Sequence, residues 1–258
     1  MEVVYYPPTL KNIRSAHTWK REYEQYLPLS RYFFRPIGFL MTWAAIRLRL
    51  TTESVSWLSG LAGLLGYICL LSSQQGLLPF GIAILIFFNI LDCVDGSIAR
   101  TMKTENPYGR FLDSIMVWID LGFWALIGIM AYRHPDLYFL FDSWIQNPMF
   151  WLAVGGLASY FSILANYIEM IFDRSAREAW DAINNKSDID TININSEENF
   201  SDNKIRELSK ISLRKILVIV NHNMRVRETH YVLLILAFGF NLIDLFLIVF
   251  LIFYFSLS

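Results

Sequence analysis

The chain has 258 residues, 55% of them hydrophobic and only 17% charged, with a mean hydropathy of +0.38. That composition excludes an ordinary soluble domain and points to a protein that spends much of its length in lipid. The net charge of −1 gives no sign of a nucleic-acid partner, and two cysteines, Cys69 and Cys93, both inside apolar runs, argue for buried free thiols over a disulfide framework.

The opening residues, MEVVYYPPTLKNIR, lack a basic start followed by an apolar core, so no cleavable signal peptide is expected. Residues 11–35 mix Lys11, Arg14, Lys20, Arg21, Arg31 and Arg35 with Trp19, Tyr23, Tyr26, Tyr32 and Phe33. Basic and aromatic side chains together suit the headgroup region of a membrane. Pro36 is expected to break this segment, and IGFLMTWAAIRLRL (37–50) is too short to span, so it reads as an interfacial helix. Residues 1–50 thus form an amino-terminal interfacial segment, and residues 51–258 a membrane domain.

TTESVS (51–56) offers capping hydroxyls, with Glu53 early in the helix that follows. The first span is expected over about Val55–Leu71, with Gly60, Gly63 and Gly66 forming a small face for close packing. Further spans are expected over about Leu77–Arg100, Gly109–Tyr132 and Met149–Phe172, joined by a turn, a polar link at 101–108 and a proline-bearing connection at 133–148. Residues 173–204 are rich in Asn, Asp and Ser and read as a loop with little fixed structure, the start of a polar region at 173–228. From Lys204 to Arg227 a basic amphipathic pattern returns. The apolar run Tyr231–Phe255 exceeds the ~20 residues of one span, and its interruption by FGFNLID (238–244) favours two short helices over one tilted helix. The expectation is an all-α polytopic membrane bundle of about six transmembrane helices with amphipathic interfacial helices. Of the 22 Lys and Arg residues only Arg133 falls in a loop on the far side. The positive-inside rule therefore puts the amino terminus, the 101–108 link and residues 173–230 in the cytoplasm of a cell-membrane protein.

Against that background the acidic residues stand out. Asp92, Asp95, Asp113 and Asp120 lie where one apolar run ends and the next begins, at the cytoplasmic mouth. Carboxylates persist at membrane depth when paired, facing a wet cavity or bound to metal. Separate helix caps would explain each of them singly, but four so close together repel one another unless a cation lies between. An all-carboxylate set of oxygen donors suits Mg²⁺ or Mn²⁺ over zinc. Gly96, Ala99 and Gly109 remove bulk where a ligand could approach the backbone, and Arg100 and Arg110 supply positive charge for phosphates.

The pattern Asp92-x2-Asp95-Gly96-x2-Ala99-Arg100-x8-Gly109-x3-Asp113 resembles the signature of the CDP-alcohol phosphotransferases, also called CDP-alcohol phosphatidyltransferases. TTESVS resembles the family's Thr-Pro-Asn-x-Val-Thr at Thr51 and Val55, conservatively at Ser56, and departs from it at Thr52 and Glu53. The resemblance covers residues 30–255 in broad terms. It implies a six-helix bundle, usually a homodimer among membrane lipids. It also implies a reaction in which an acceptor hydroxyl attacks the phosphorus of a CDP-alcohol and releases CMP, in phospholipid or related biosynthesis. By the same resemblance Asp92, Asp95 and Asp113 hold two metal ions, while Gly96, Ala99, Arg100 and Gly109 bind the cytidine nucleotide. The family's last aspartate, its general base and a ligand of the second metal, falls at position 117, which here is Val117. Either Asp113 serves alone, or the second metal site is damaged, or Asp120, one turn further on and roughly 4.5 Å along the axis at about 1.5 Å per residue, stands in. The catalytic pair would then be Asp113 and Asp120, with Asp120 the fourth metal ligand. The rival from another class is a binding subunit that kept three aspartates and lost the fourth. A transporter would place such charges near the midplane instead.

Other polar residues have weaker claims. Asn166, Tyr167 and Glu169 are candidates to line the same cavity. Arg225, Arg227 and His230 are candidates for a phosphate or headgroup contact, beside plain membrane anchoring. Asp244 reads as a turn residue, and His17, His134 and His222 are too scattered for a metal site.

Overall fold

The computed structural model describes residues 8–18, 24–139, 147–190 and 213–258. Among the described residues there is no strand, and the chain is an all-α bundle. Helix α1 (Leu10–Ser15) starts at Thr9, whose hydroxyl accepts from the Asn12 N–H at 3.3 Å. A π-turn at Ser30–Phe34 runs directly into α2 (Arg35–Arg47). Pro36 therefore does not break the segment. The Arg35 N–H bonds to the Ser30 carbonyl, five residues back, and this wider ring carries the chain past a residue that cannot donate.

Helix α3 (Thr52–Leu70) is capped by Thr51, an extended residue whose Oγ1 accepts from the Ser54 N–H at 3.2 Å. A 3₁₀ turn (Gln75–Leu77) leads into α4 (Leu78–Met102), which ends at Lys103 in the left-handed region, φ 55°. Helix α5 (Pro107–Ile119) follows the Asn106–Pro107 pair: the Asn106 side chain accepts from the Gly109 N–H at 2.7 Å, and proline fills the first helical position, where no donor is needed. The third expected span is interrupted by a 3₁₀ turn at Asp120–Gly122 before α6 (Phe123–Arg133). Helix α7 (Pro148–Asp190) is 43 residues long. Residues 173–190 are thus helical and not loop. The stretch lacks Gly and Pro, is rich in helix formers, and carries the i,i+4 pair Arg174–Glu178 at 2.9 Å. The remainder of that expected loop, 191–204, lies outside the described residues, as do Trp19, Lys20, Arg21 and Tyr23.

Helix α8 (Leu213–Met224) precedes α9 (Arg227–Gly239) and α10 (Ile243–Leu257), so the last apolar run is two helices. The chain turns between them at Asn241, φ 55°. Asp244, fully buried, accepts from the Phe139 N–H at 3.2 Å and ties this turn to the link after α6. Among the described residues, four helical segments are long and apolar enough to cross a membrane: Thr52–Leu70, Gln75–Met102, Pro107–Arg133 and Pro148–Glu178.

The helices meet where side chains are smallest. A Cβ built on Gly81 of α4 would lie 2.9 Å from the Gly66 carbonyl oxygen of α3. Gly60, from the same small face, turns instead toward α5, where a Cβ would lie 2.5 Å from Met116 Sδ. The stripe therefore serves two neighbours. A Cβ on Gly155 of α7 would lie 2.5 Å from Gly128 Cα of α6, a backbone-to-backbone crossing that only glycine allows. Around these crossings Phe88, Phe123, Trp151 and Tyr231 form the buried centre.

Candidate functional site

The end of α4 and the start of α5 enclose a cavity of about 550 Å³. Asp92, Asp95, Gly96, Ala99, Arg100, Gly109 and Asp113 all line it, so every position of the sequence pattern as far as Asp113 meets in one place. The α3 residues Thr52, Glu53 and Ser56 close one side, Arg35 of α2 another, and Arg227 and Glu228 of α9 a third.

Asp95 is the most enclosed of the three acids, 3% exposed. Its Oδ2 accepts from Ser56 Oγ at 2.6 Å and its Oδ1 from the Gly96 N–H, which together satisfy the buried carboxylate. Three residues back along α4, Asp92 pairs through Oδ2 with Arg227, whose guanidinium lies 5.4 Å from the centre of the Phe88 ring. Asp92 Oδ1 is buried without a hydrogen-bond partner among the described residues. Asp113 is exposed at the rim. Gly96 leaves room for Arg100 to fold back along the helix, since a Cβ there would lie 3.1 Å from Arg100 Nη1.

Asp120 does not join them. It belongs to the 3₁₀ turn between α5 and α6, and its Oδ1 accepts from Tyr67 of α3 and, at 2.7 Å, from Tyr231 of α9. It is not among the residues lining the cavity. The 3₁₀ turn at Asp120 and the two tyrosine hydroxyls that donate to its carboxylate engage it outside the cavity.

The weaker candidates resolve in other ways. Asn166 and Glu169 line a separate surface groove with Asp173 and Arg174, and Tyr167 is exposed. Arg225 pairs with Glu169 at 2.6 Å, outside the cavity. His230 is buried among Phe123, Trp124 and Phe250, its Nε2 2.8 Å from the Met224 carbonyl oxygen. His17 Nε2 contacts Glu24 at 2.7 Å, and His134 Nε2 lies 2.9 Å from the Ser72 carbonyl oxygen.

Sequence reading missed several residues of this region. Asn89 lies three residues before Asp92, hence on the same face, and lines the cavity with its Nδ2 unpartnered among the described residues. Its spacing was a usable signal. Arg35, Tyr67 and Tyr231 carry no local signal, because each reaches the region from a different helix.

Asp92, Asp95 and Asp113 offer carboxylate oxygens, and the unpartnered Asp92 Oδ1 is a ready acceptor, a set suited to a hard divalent cation, with the Cys93 thiol lining the same cavity. As they stand, no three His, Cys, Asp or Glu side chains of the described residues converge to hold one. With Asp92 turned to Arg227 and Asp113 at the rim, the carboxylates share a cavity without sharing a point.

The model of one family, described as CDP-alcohol phosphatidyltransferase, matches residues 51–180. Comparison with curated proteins and with solved structures finds no match.

Proposed function

The chain belongs to the CDP-alcohol phosphatidyltransferase family, whose model matches residues 51–180, and from that premise we propose that it transfers a phosphoalcohol group from a CDP-alcohol to an acceptor hydroxyl. The observation that carries the reading is that Asp92, Asp95, Gly96, Ala99, Arg100, Gly109 and Asp113 line one cavity. The acceptor oxygen bonds to the phosphorus nearest the alcohol, the bond from that phosphorus to the CMP phosphate oxygen breaks, and CMP leaves. Asp113, the exposed carboxylate at the rim, takes the proton of the acceptor hydroxyl.

Arg100, Arg110 and Arg35 face the same space and offset the charge of the diphosphate. Gly109 and Ala99 keep its walls low enough for the nucleotide to lie against the helices. Mg²⁺ or Mn²⁺, as one or two ions held by Asp92, Asp95 and Asp113, would supply charge stabilisation at the diphosphate and the leaving group. The protein works among membrane lipids, as a homodimer, with the cavity open to the cytoplasm.

A second reading has its own observation. Val117 replaces the family's last aspartate, and Asp120 is engaged by Tyr67 and Tyr231 outside the cavity. Both favour a family member that binds nucleotide or lipid without turning it over. The test is CMP release by the purified full chain with Mn²⁺, across several CDP-alcohols and acceptors, beside Asp95→Asn and Val117→Asp. Release that Asp95→Asn abolishes supports the transferase. Release from Val117→Asp alone supports the second reading and overturns the first.

A further inference from the structure

Two carboxylates bracket the first turns of α9. Arg227 and Tyr231 are four residues apart and share a face of that helix. Arg227 reaches Asp92 on α4, and Tyr231 reaches Asp120 between α5 and α6. Tyr231 is fully buried, so its hydroxyl needs an acceptor, and Asp120 Oδ1 supplies it. The same oxygen takes the Tyr67 hydroxyl, which joins α3 to the arrangement. Cys93, Arg227 and Glu228 line the cavity together, so α9 forms one of its walls.

We propose that Asp120 is a positioning residue. It clasps α9 through Tyr231 and so sets Arg227 against Asp92, instead of entering the cavity as a ligand or base. The link to transfer chemistry rests on the family reading above, whereas the clasp does not. Both hydroxyls donate to one oxygen, so the clasp needs an acceptor and not a charge. An amide at position 120 keeps that acceptor and removes what a metal ligand or a proton acceptor would need. Asparagine therefore separates the two roles.

The experiment uses the full chain in detergent with Cys69→Ser, which leaves Cys93 as its one thiol. The rate of Cys93 alkylation by a small maleimide is measured in Asp120→Asn, Asp120→Ala and Tyr231→Phe, with CMP release assayed beside it. Losing the clasp frees the α9 wall, so Tyr231→Phe and Asp120→Ala raise alkylation by up to about tenfold, the scale of one lost hydrogen bond. Asp120→Asn keeps the parent alkylation rate and recovers most of the CMP release that Asp120→Ala loses. Two results overturn the proposal: alkylation unchanged in Tyr231→Phe, or Asp120→Asn as inactive as Asp95→Asn at the parent alkylation rate. Should Asp120→Ala fail to fold, Tyr231→Phe against Asp120→Asn still decides. If the parent releases no CMP, the proposed reaction fails, while the alkylation rates test the clasp independently.

Discussion

Ser56 Oγ donates to Asp95 Oδ2 at 2.6 Å, and this one bond fastens the start of α3 to the most enclosed carboxylate of the cavity. The hydroxyl is what the family's Thr-Pro-Asn-x-Val-Thr pattern supplies at this position, and serine supplies it too. Ser56→Ala leaves Asp95 Oδ2 buried without that donor, at a cost of about 1–3 kcal/mol. Thermal unfolding in detergent should show the loss, with Ser56→Thr close to the parent. Equal midpoints for Ser56→Ala and the parent would refute the assignment.

The Gly128–Gly155 crossing makes a second prediction. A Cβ on Gly155 meets Gly128 backbone at 2.5 Å, and backbone cannot rotate away. Gly155→Ala should destabilise by about 1–3 kcal/mol or more, as overpacking does. Among the described residues, nothing lies within 4 Å of the Cβ position of the neighbouring Gly156, so Gly156→Ala is the control and should not lower stability. Monodispersity after stepwise heating reports both, and matching profiles would contradict the crossing.

Two arginines close together in sequence should differ sharply. Arg227 and Asp92 form a pair with side chains 20% and 12% exposed, whereas Arg225 and Glu169 are 32% and 53% exposed. Arg227→Ala abandons a largely buried carboxylate and should cost about 3 kcal/mol. Arg225→Ala breaks a solvated pair and should cost under about 1 kcal/mol. Denaturant titration of the two variants side by side checks the order.

Asp244 is the fourth test. It is fully buried and receives the Phe139 N–H at 3.2 Å, which holds the link after α6 against the start of α10. Asp244→Ala should lose about 1–3 kcal/mol by leaving that donor unpaired, and Asp244→Asn less because its amide oxygen still accepts. The comparison is again of unfolding midpoints, and Asp244→Asn faring as badly as Asp244→Ala would point to the charge instead.

How much of this was legible beforehand follows the range of each interaction. Helix starts at Thr51 and the split of the last apolar run were readable, because caps and interruptions act over a few residues. The continuation of α7 to Asp190 was not read: polar composition suggested a loop, while the helix formers and the Arg174–Glu178 pair favoured helix. Pro36 misled for a related reason, since the π-turn before it changes which carbonyl the helix must use.

By itself, the sequence determined the class of the protein and the gathering of three of its aspartates. Apolar length demands helices in lipid, where every backbone group must be satisfied within its own segment. The spacing of Asp92, Asp95 and Asp113 with their small neighbours was enough to gather them, because helical periodicity puts such residues on one face and the short 101–108 link brings the two helices together. Only the tertiary structure decided the partners: Ser56 for Asp95, Arg227 for Asp92, and Tyr67 with Tyr231 for Asp120. Those choices join residues from different helices, and local pattern carries no term for where a distant helix will dock. Asp120 is the clearest instance, adjacent to the motif along the chain yet held away from its cavity by hydroxyls from α3 and α9.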